Sequence, residues 1–95
     1  MLRLCSLTWF PHAKREQVAQ RVVHQHDMGN NHPERIKGWY NLVGGGAGFL
    51  LVESADPDEV TAFVQPYMDL ISFDVRGVYQ LDHQDRLEEL RQIAA

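Results

Sequence analysis

Charged residues interrupt segments that are otherwise apolar, and aromatic residues accompany them along the chain. A carboxylate in such a place can act as a desolvated base, and an arginine can hold an anionic oxygen. The aromatic rings would form the apolar walls of a small-molecule site, in which a few polar groups orient the ligand. The seven candidate ligand-binding residues are Arg3, Trp9, Trp39, Tyr40, Glu53, Asp74 and Arg76.

The charged candidates also have a structural interpretation, which we favour. Arg3 with Glu53, and Asp74 with Arg76, can form ion pairs at a subunit interface or at a strand edge, since interfaces keep polar rims and arginine anchors. In the first predicted strand every second residue shares a face with Arg3, and in the third every second residue shares a face with Glu53. If these two faces are the same face of the sheet, both sets of residues would line one chamber. The sequence does not fix which sets share a face, so both interpretations stay open.

Three other features resemble functional motifs but lack the parts that the chemistry needs. The segment from Gly44 to Gly48 joins two predicted strands without the Lys and Ser or Thr of a phosphate loop, so it predicts a hairpin turn. His24 and His26 are two apart on a predicted helix and point to different sides, and with His32 they match no known ligand spacing, so we predict no metal site. Cys5 is predicted to be a buried, unreactive thiol.

Composition narrows the class of protein. The 95 residues suffice for one domain, and the net charge of −4 comes with scattered basic residues, of which only Lys14 and Arg15 are adjacent. We therefore predict no nucleic-acid partner. The longest apolar run, residues 48–52, is far shorter than a membrane span, which predicts no membrane association. A single cysteine forms no internal disulfide, so the predicted location is cytoplasmic. We also predict no cofactor.

The apolar periodicity predicts alternating strands and helices. Strands are expected at residues 2–9, 35–43, 48–54 and 70–80, and helices at 13–26, from Asp56 to about Pro66, and from Asp82 onward. This order predicts an α+β, ferredoxin-like βαββαβ fold, in which two helices cover one face of a four-stranded antiparallel sheet. We place the domain at residues 1–81 and a C-terminal helical extension at 82–95.

The first and third strands are expected at the centre of the sheet, and both are apolar on both sides. Leu4 alternates with Cys5 in the first, and Leu50 with Phe49 in the third. Because helices cover only one face, we predict that a second copy covers the other and that the protein is a homodimer. The apolar stripe of the C-terminal helix would either cap its own sheet or reach across to the partner subunit.

One group of segments resembles a known family. Its parts are Leu7-Thr8-Trp9, the hairpin from Gly38 to Glu53, Asp56-Pro57, and Tyr67-Met68-Asp69-Leu70. These segments, within residues 2 to about 80, are similar to a family of short bacterial proteins of unknown function in the dimeric α+β barrel superfamily. The resemblance implies the fold and dimerisation but no activity. Haem-degrading superfamily members use an Asn on the first strand and a His on the second helix, and this chain has neither.

The sequence assigns no function, and it leaves three hypotheses. The favoured one is a homodimeric protein that binds a small ligand or acts as a regulatory or accessory subunit. The second is a cofactor-free monooxygenase-like or isomerase-like enzyme acting on a small aromatic or anionic metabolite, with Glu53 or Asp74 as the base and Arg3 or Arg76 beside it. The third is a purely structural dimer.

Overall fold

The computed structural model describes residues 1–95 and contains four strands and three α-helices. The strands are β1 (Leu2–Trp9), β2 (Ile36–Asn41), β3 (Ala47–Glu53) and β4 (Ile71–Gly77). The helices are α1 (Arg15–Asp27), α2 (Pro57–Val64) and α3 (His83–Ala94), with short 3₁₀ turns at Pro33–Arg35 and Gln65–Tyr67. The predicted βαββαβ order with a further C-terminal helix is confirmed. None of the helices combines the length and the apolar character that crossing a membrane demands.

The four strands form one antiparallel sheet in the order β2-β3-β1-β4. The first and third strands are therefore central, as predicted. Cys5 at the middle of β1 pairs with Leu50 of β3 on one side and with Val75 of β4 on the other. This arrangement of strands and helices is the ferredoxin-like fold.

The strands β2 and β4 end earlier than predicted, for reasons that depend on pairing. The hairpin closes where the Leu42 amide donates to the Ala47 carbonyl, so β2 ends at Asn41. Gly45 and Gly46 both have positive φ angles in this turn, which explains the glycine run without a bound phosphate. Because β1 begins at Leu2, β4 has no partner beyond the bond from the Val78 amide to the Leu2 carbonyl.

The helix boundaries follow the capping signals in the sequence. The Asp56 carboxylate accepts a hydrogen bond of 2.8 Å from the Asp58 amide, and Pro57 occupies the first turn of α2. Pro66 lies in the 3₁₀ turn that follows α2, as expected of a residue that cannot continue a helix. Asp82 caps α3 in the same way, accepting from the Asp85 amide at 3.0 Å.

The hydrophobic core lies between the sheet and the first two helices. Its buried members come from all these elements: Cys5, Leu7, Val18, Leu50, Val52, Val60, Val64, Tyr67, Leu70 and Ile71. The core residues that lie in strands all belong to one face of the sheet, because side chains alternate along a strand. We call this face the helix face. The other face, which we call the open face, carries Leu2, Leu4, Phe49 and Leu51 from the central strands.

Cys5 is fully buried at the centre of the core. Burial raises the pKa of its thiol, and the positive charge of Arg3 offsets this only in part. We predict that a thiol reagent such as Ellman's reagent modifies Cys5 slowly in the native protein and rapidly in guanidinium chloride, because attack needs an exposed thiolate. Equal rates under the two conditions would contradict this burial.

The C-terminal helix α3 extends away from the rest of the chain. None of its residues is buried, and on its apolar stripe Leu90 and Ile93 remain 45% and 75% exposed. The radius of gyration is 16.5 Å, whereas a compact domain of this length has about 12 Å. Of the two sequence-based alternatives for α3, capping of its own sheet is therefore not observed.

Candidate ligand pocket

A cavity of about 120 Å³ lies between the helix face of the sheet and the helices. All four strands contribute to it, together with α1, α2 and the two connections that follow these helices. Of its 13 lining residues, 11 are hydrophobic; the full lining is Leu7, Trp9, Val18, Val22, Asn31, Ile36, Trp39, Asn41, Leu50, Phe63, Tyr67, Ile71 and Phe73. Such a chamber suits a small apolar molecule.

The wall between α1 and α2 is fixed by one side-chain amide. The Tyr67 hydroxyl donates a hydrogen bond of 2.6 Å to Asn31 Oδ1, and Asn31 Nδ2 donates one of 3.0 Å to the Val22 carbonyl. The next residue, His32, has a φ of 45°, in the left-handed region that side chains rarely adopt. The Asn31 amide therefore uses both its ends to hold the loop against the two neighbouring elements.

The cavity contains no charged side chain. Tyr67 is the only ionisable residue in the lining. Burial raises the pKa of its hydroxyl, while the hydrogen bond to Asn31 and the charge of Arg21 offset part of this. The phenol is consequently neutral at physiological pH, so the cavity presents no countercharge to an ion.

The rim of the cavity differs from its interior. Trp39 is 59% exposed and Asn41 is also exposed, although both line the cavity. Asn41 pairs with Gly48 across the hairpin, and a β-carbon at Gly48 would collide with the Tyr40 carbonyl and the Asn41 side chain. The absence of a side chain at Gly48 therefore leaves room for the Asn41 side chain at the mouth of the cavity.

Two of the seven predicted ligand-binding residues meet in this cavity. Trp9 from β1 and Trp39 from β2 both line it. Tyr40 does not, because it follows Trp39 in the strand and points to the open face. There its ring stacks on Phe49 with centroids 4.9 Å apart. The three aromatic candidates are thus divided between the two faces of the sheet.

Arg3 and Glu53 lie on opposite faces, so the condition for a shared chamber is not met. Arg3 pairs with the buried Val52 and donates from Nε to Ser54 Oγ at 2.9 Å. Glu53 lies on the open face, 50% exposed, with a carboxylate oxygen 2.7 Å from the Met1 amino group. Within one chain the suggested Arg3–Glu53 ion pair does not form, because the register places Glu53 opposite Leu2 and one residue out of phase with Arg3.

Asp74 and Arg76 form the ion pair that their spacing suggested. Arg76 Nε lies 3.1 Å from Asp74 Oδ2 on the edge strand β4, and the two side chains are 75% and 60% exposed respectively. Both belong to the open face, since Asp74 pairs with Ser6 and Arg76 with Leu4. They are separated from the cavity by the sheet.

The structure adds residues that sequence patterns did not single out. Asn31 lies in a loop whose polar composition predicts only a connection, and Asn41 is a single polar residue at the end of a strand. The apolar spacing around Val22, Phe63 and Tyr67 indicates only a face that packs against a core. The signal that would have identified them, a gap in packing between sheet and helices, depends on tertiary structure.

Metal ligands do not converge anywhere in the chain, since no group of three His, Cys, Asp or Glu side chains comes together. His24 and His26 both lie within α1, so their two-residue spacing directs them to different sides.

An ion pair beside the cavity connects α1 to the turn that carries Tyr67. Both terminal guanidinium nitrogens of Arg21 donate to the Asp69 carboxylate, at 2.6 and 2.9 Å, and Arg21 also donates to the Pro66 carbonyl. The hydrogen bond from Arg21 is the main cause that lowers the pKa of Asp69 below its ordinary value of 3.8.

The lowered pKa predicts a contribution to stability that depends on pH. The charged form of Asp69 is favoured by folding, so its contribution is present above the ordinary pKa and is lost as pH falls through the lowered one. We expect the difference in free energy of unfolding between the wild type and Asp69→Asn to shrink in acid, measured by urea denaturation between about pH 5 and about pH 3. A difference that stays constant over this range would contradict the assignment.

The comparison with protein families gives one match. The model of a domain of unknown function, DUF3303, matches residues 1–89. This chain belongs to the DUF3303 family. The match covers the whole sheet, α1, α2 and the first half of α3, so every residue of the cavity lies within the DUF3303 domain. The family description assigns no function, and no curated protein matches the chain.

Proposed function

We propose that this DUF3303 protein is a homodimeric module that binds a small, mostly apolar molecule. The observation that carries the proposal is the cavity of about 120 Å³ with 11 hydrophobic residues among its 13 lining residues. Protein interiors are normally packed without spaces larger than a water molecule. An apolar cavity that opens at a rim with an exposed amide therefore favours a binding site over an ordinary core.

The proposed second subunit covers the open face. Phe49 and Tyr40 remain 36% and 53% exposed there, and Leu4 and Leu51 lie beside them at the centre of the sheet. The segment that leads to α3 runs along the same face, where Val78 and Tyr79 line a groove with Leu2, Leu4 and Leu51. This segment connects the open face to α3, whose apolar residues Leu90 and Ile93 are also exposed, so a second copy of the chain could bury both surfaces.

Membership of the dimeric α+β barrel superfamily, a bacterial origin and a cytoplasmic location belong to the same proposal. The strand order and the two covering helices support the superfamily, and the single free thiol at Cys5 agrees with a reducing compartment. The enzymatic alternative receives less support from the geometry. Glu53 and Asp74 are 50% and 60% exposed, each beside a cation, and neither borders the cavity.

Titration with a neutral aromatic probe tests the binding proposal directly. The two tryptophans of the chain, Trp9 and Trp39, both line the cavity, so their fluorescence reports on its occupancy. We expect benzyl alcohol to change this fluorescence with saturation and to raise Tm, because a ligand that binds only the native state stabilises it.

Matched variants on one helix provide the control. Val22 lines the cavity, whereas its neighbour Val23 is 59% exposed. Val22→Phe should remove the saturable fluorescence change by filling the cavity, and Val23→Phe should retain it. If the wild type shows no saturation while remaining dimeric, the purely structural dimer becomes the better account.

A further inference from the structure

The charge and size of the cavity restrict the ligand more narrowly than its apolar walls alone. This inference rests on the proposed binding function. The lining has no arginine, lysine, histidine or carboxylate, and its one phenol, on Tyr67, is already hydrogen-bonded to Asn31. A charged group would lose hydration in the cavity, where no countercharge replaces it, and this costs far more than burying a neutral polar group; contact with an aromatic ring returns only a small part of this cost to a cation.

The volume of the cavity limits the size of the part of the ligand that it can enclose. An engineered apolar cavity of about 150 Å³ in another protein holds benzene. The cavity here, of about 120 Å³, is close to that size. It therefore encloses a single aromatic ring or an aliphatic group of similar bulk, and any further part of the ligand must lie at the mouth.

The polar contact available to such a ligand lies at the rim. The amide of Asn31 is used at both ends by Tyr67 and by the Val22 carbonyl. Asn41, by contrast, lines the mouth with its side chain exposed, and Trp39 beside it offers an aromatic surface. An amide can both donate and accept, so it can bind a carbonyl, hydroxyl or amide group of the ligand.

We infer that the pocket binds an uncharged molecule with a single compact ring, which enters ring first and leaves one neutral polar group at Asn41. The ring lies against Trp9, Leu50 and Phe63 between sheet and helices. Carboxylate-bearing and ammonium-bearing relatives of the same ring bind more weakly, because the mouth holds no countercharge to replace the hydration that they lose there.

Three probes of nearly equal shape test the charge selectivity. Benzamide, benzoate and benzylammonium present the same ring with a neutral, a negative and a positive group at neutral pH. We expect tryptophan fluorescence titration of the intact protein to give a Kd for benzamide that is about tenfold lower or more than that for either ion. If an ion binds as tightly as benzamide, the inference fails while the binding function stands. If none of the three binds although benzyl alcohol does, the inference also fails; if benzyl alcohol does not bind either, the proposed function itself fails.

A substitution at the rim tests the polar contact. Asn41→Leu keeps the size of the side chain and removes its hydrogen-bonding groups, in an exposed position that does not endanger folding. Benzamide should bind roughly three- to tenfold more weakly to this variant, as for the loss of one neutral hydrogen bond, while toluene binds as it does to the wild type. Parallel losses for both probes, or no loss for benzamide, would overturn the role of Asn41.

Discussion

Phe49→Asp is expected to separate the proposed dimer into monomers at micromolar concentration. Phe49 lies at the centre of the open face, on β3, where its ring stacks on Tyr40. A carboxylate there is harmless in a single chain but loses its hydration when a second subunit covers it, at a cost of several kcal/mol per ion. Two-fold symmetry places two such charges in one interface, so association should weaken by about a thousandfold or more.

Light scattering coupled to size-exclusion chromatography measures this effect. Val43→Asp is the matched control, because it introduces the same charge at an apolar residue that is fully exposed in the hairpin turn. The control should remain dimeric, and circular dichroism should show that both variants are folded. A wild type that is already monomeric, or a Phe49→Asp variant that still dimerises, would contradict the proposed interface.

The order of the helices and strands could be predicted because the signals for it are local and act in the same way in any tertiary structure. Asp56 and Pro57 begin α2 and Pro66 lies beyond its end, because capping and the missing amide of proline act within one turn. The hairpin at Gly45 and Gly46 is equally local. With four strands and two helices in this order, the ferredoxin-like sheet with β1 and β3 at its centre was predictable.

The face of the sheet on which each candidate residue lies could not be predicted, because it depends on the register between strands that are distant in sequence. Side chains alternate along a strand, so a difference of one residue in pairing moves a residue to the opposite face. Leu2 pairs with Glu53, which brings Arg3 opposite Val52 and separates the two charged candidates. The pairing of β1 with β4 places Trp9 opposite Ile71, and the pairing of β2 with β3 places Trp39 opposite Leu50, both on the helix face; Tyr40, opposite Phe49, is left on the open face.

The cavity itself depends on a still less local property, the fit between sheet and helices. Val18 and Val22 have the spacing of an ordinary core stripe, and nothing in that spacing distinguishes a packed core from one with a space in it. The hydrogen bond between Tyr67 and Asn31 joins residues 36 positions apart. Two of the aromatic residues that the sequence singled out, Trp9 and Trp39, line the cavity, and the remainder of the lining could be found only from three-dimensional contacts.

Because Leu50 lines the cavity, we expect Leu50→Ala to lower the free energy of unfolding more than Phe49→Asp does. Leu50 is 7% exposed in the central strand β3 and lines the cavity. Truncation of a buried leucine costs about 2–5 kcal/mol, and the cost rises with the volume that remains empty. Because the site already contains a space that the surrounding strands have not closed, we expect a loss in the upper part of that range, about 3–5 kcal/mol.

Urea denaturation at one fixed protein concentration measures this loss, since the proposed dimerisation would contribute to stability by mass action. Leu50→Met, which conserves most of the volume, should cost less than about 1.5 kcal/mol. Toluene should recover part of the stability of Leu50→Ala, because a larger apolar cavity gains more contacts from an apolar guest. A loss below about 1 kcal/mol for the alanine variant, outside the range for a buried leucine, would mean that the core closes around Leu50, and the cavity would then not persist as a binding site.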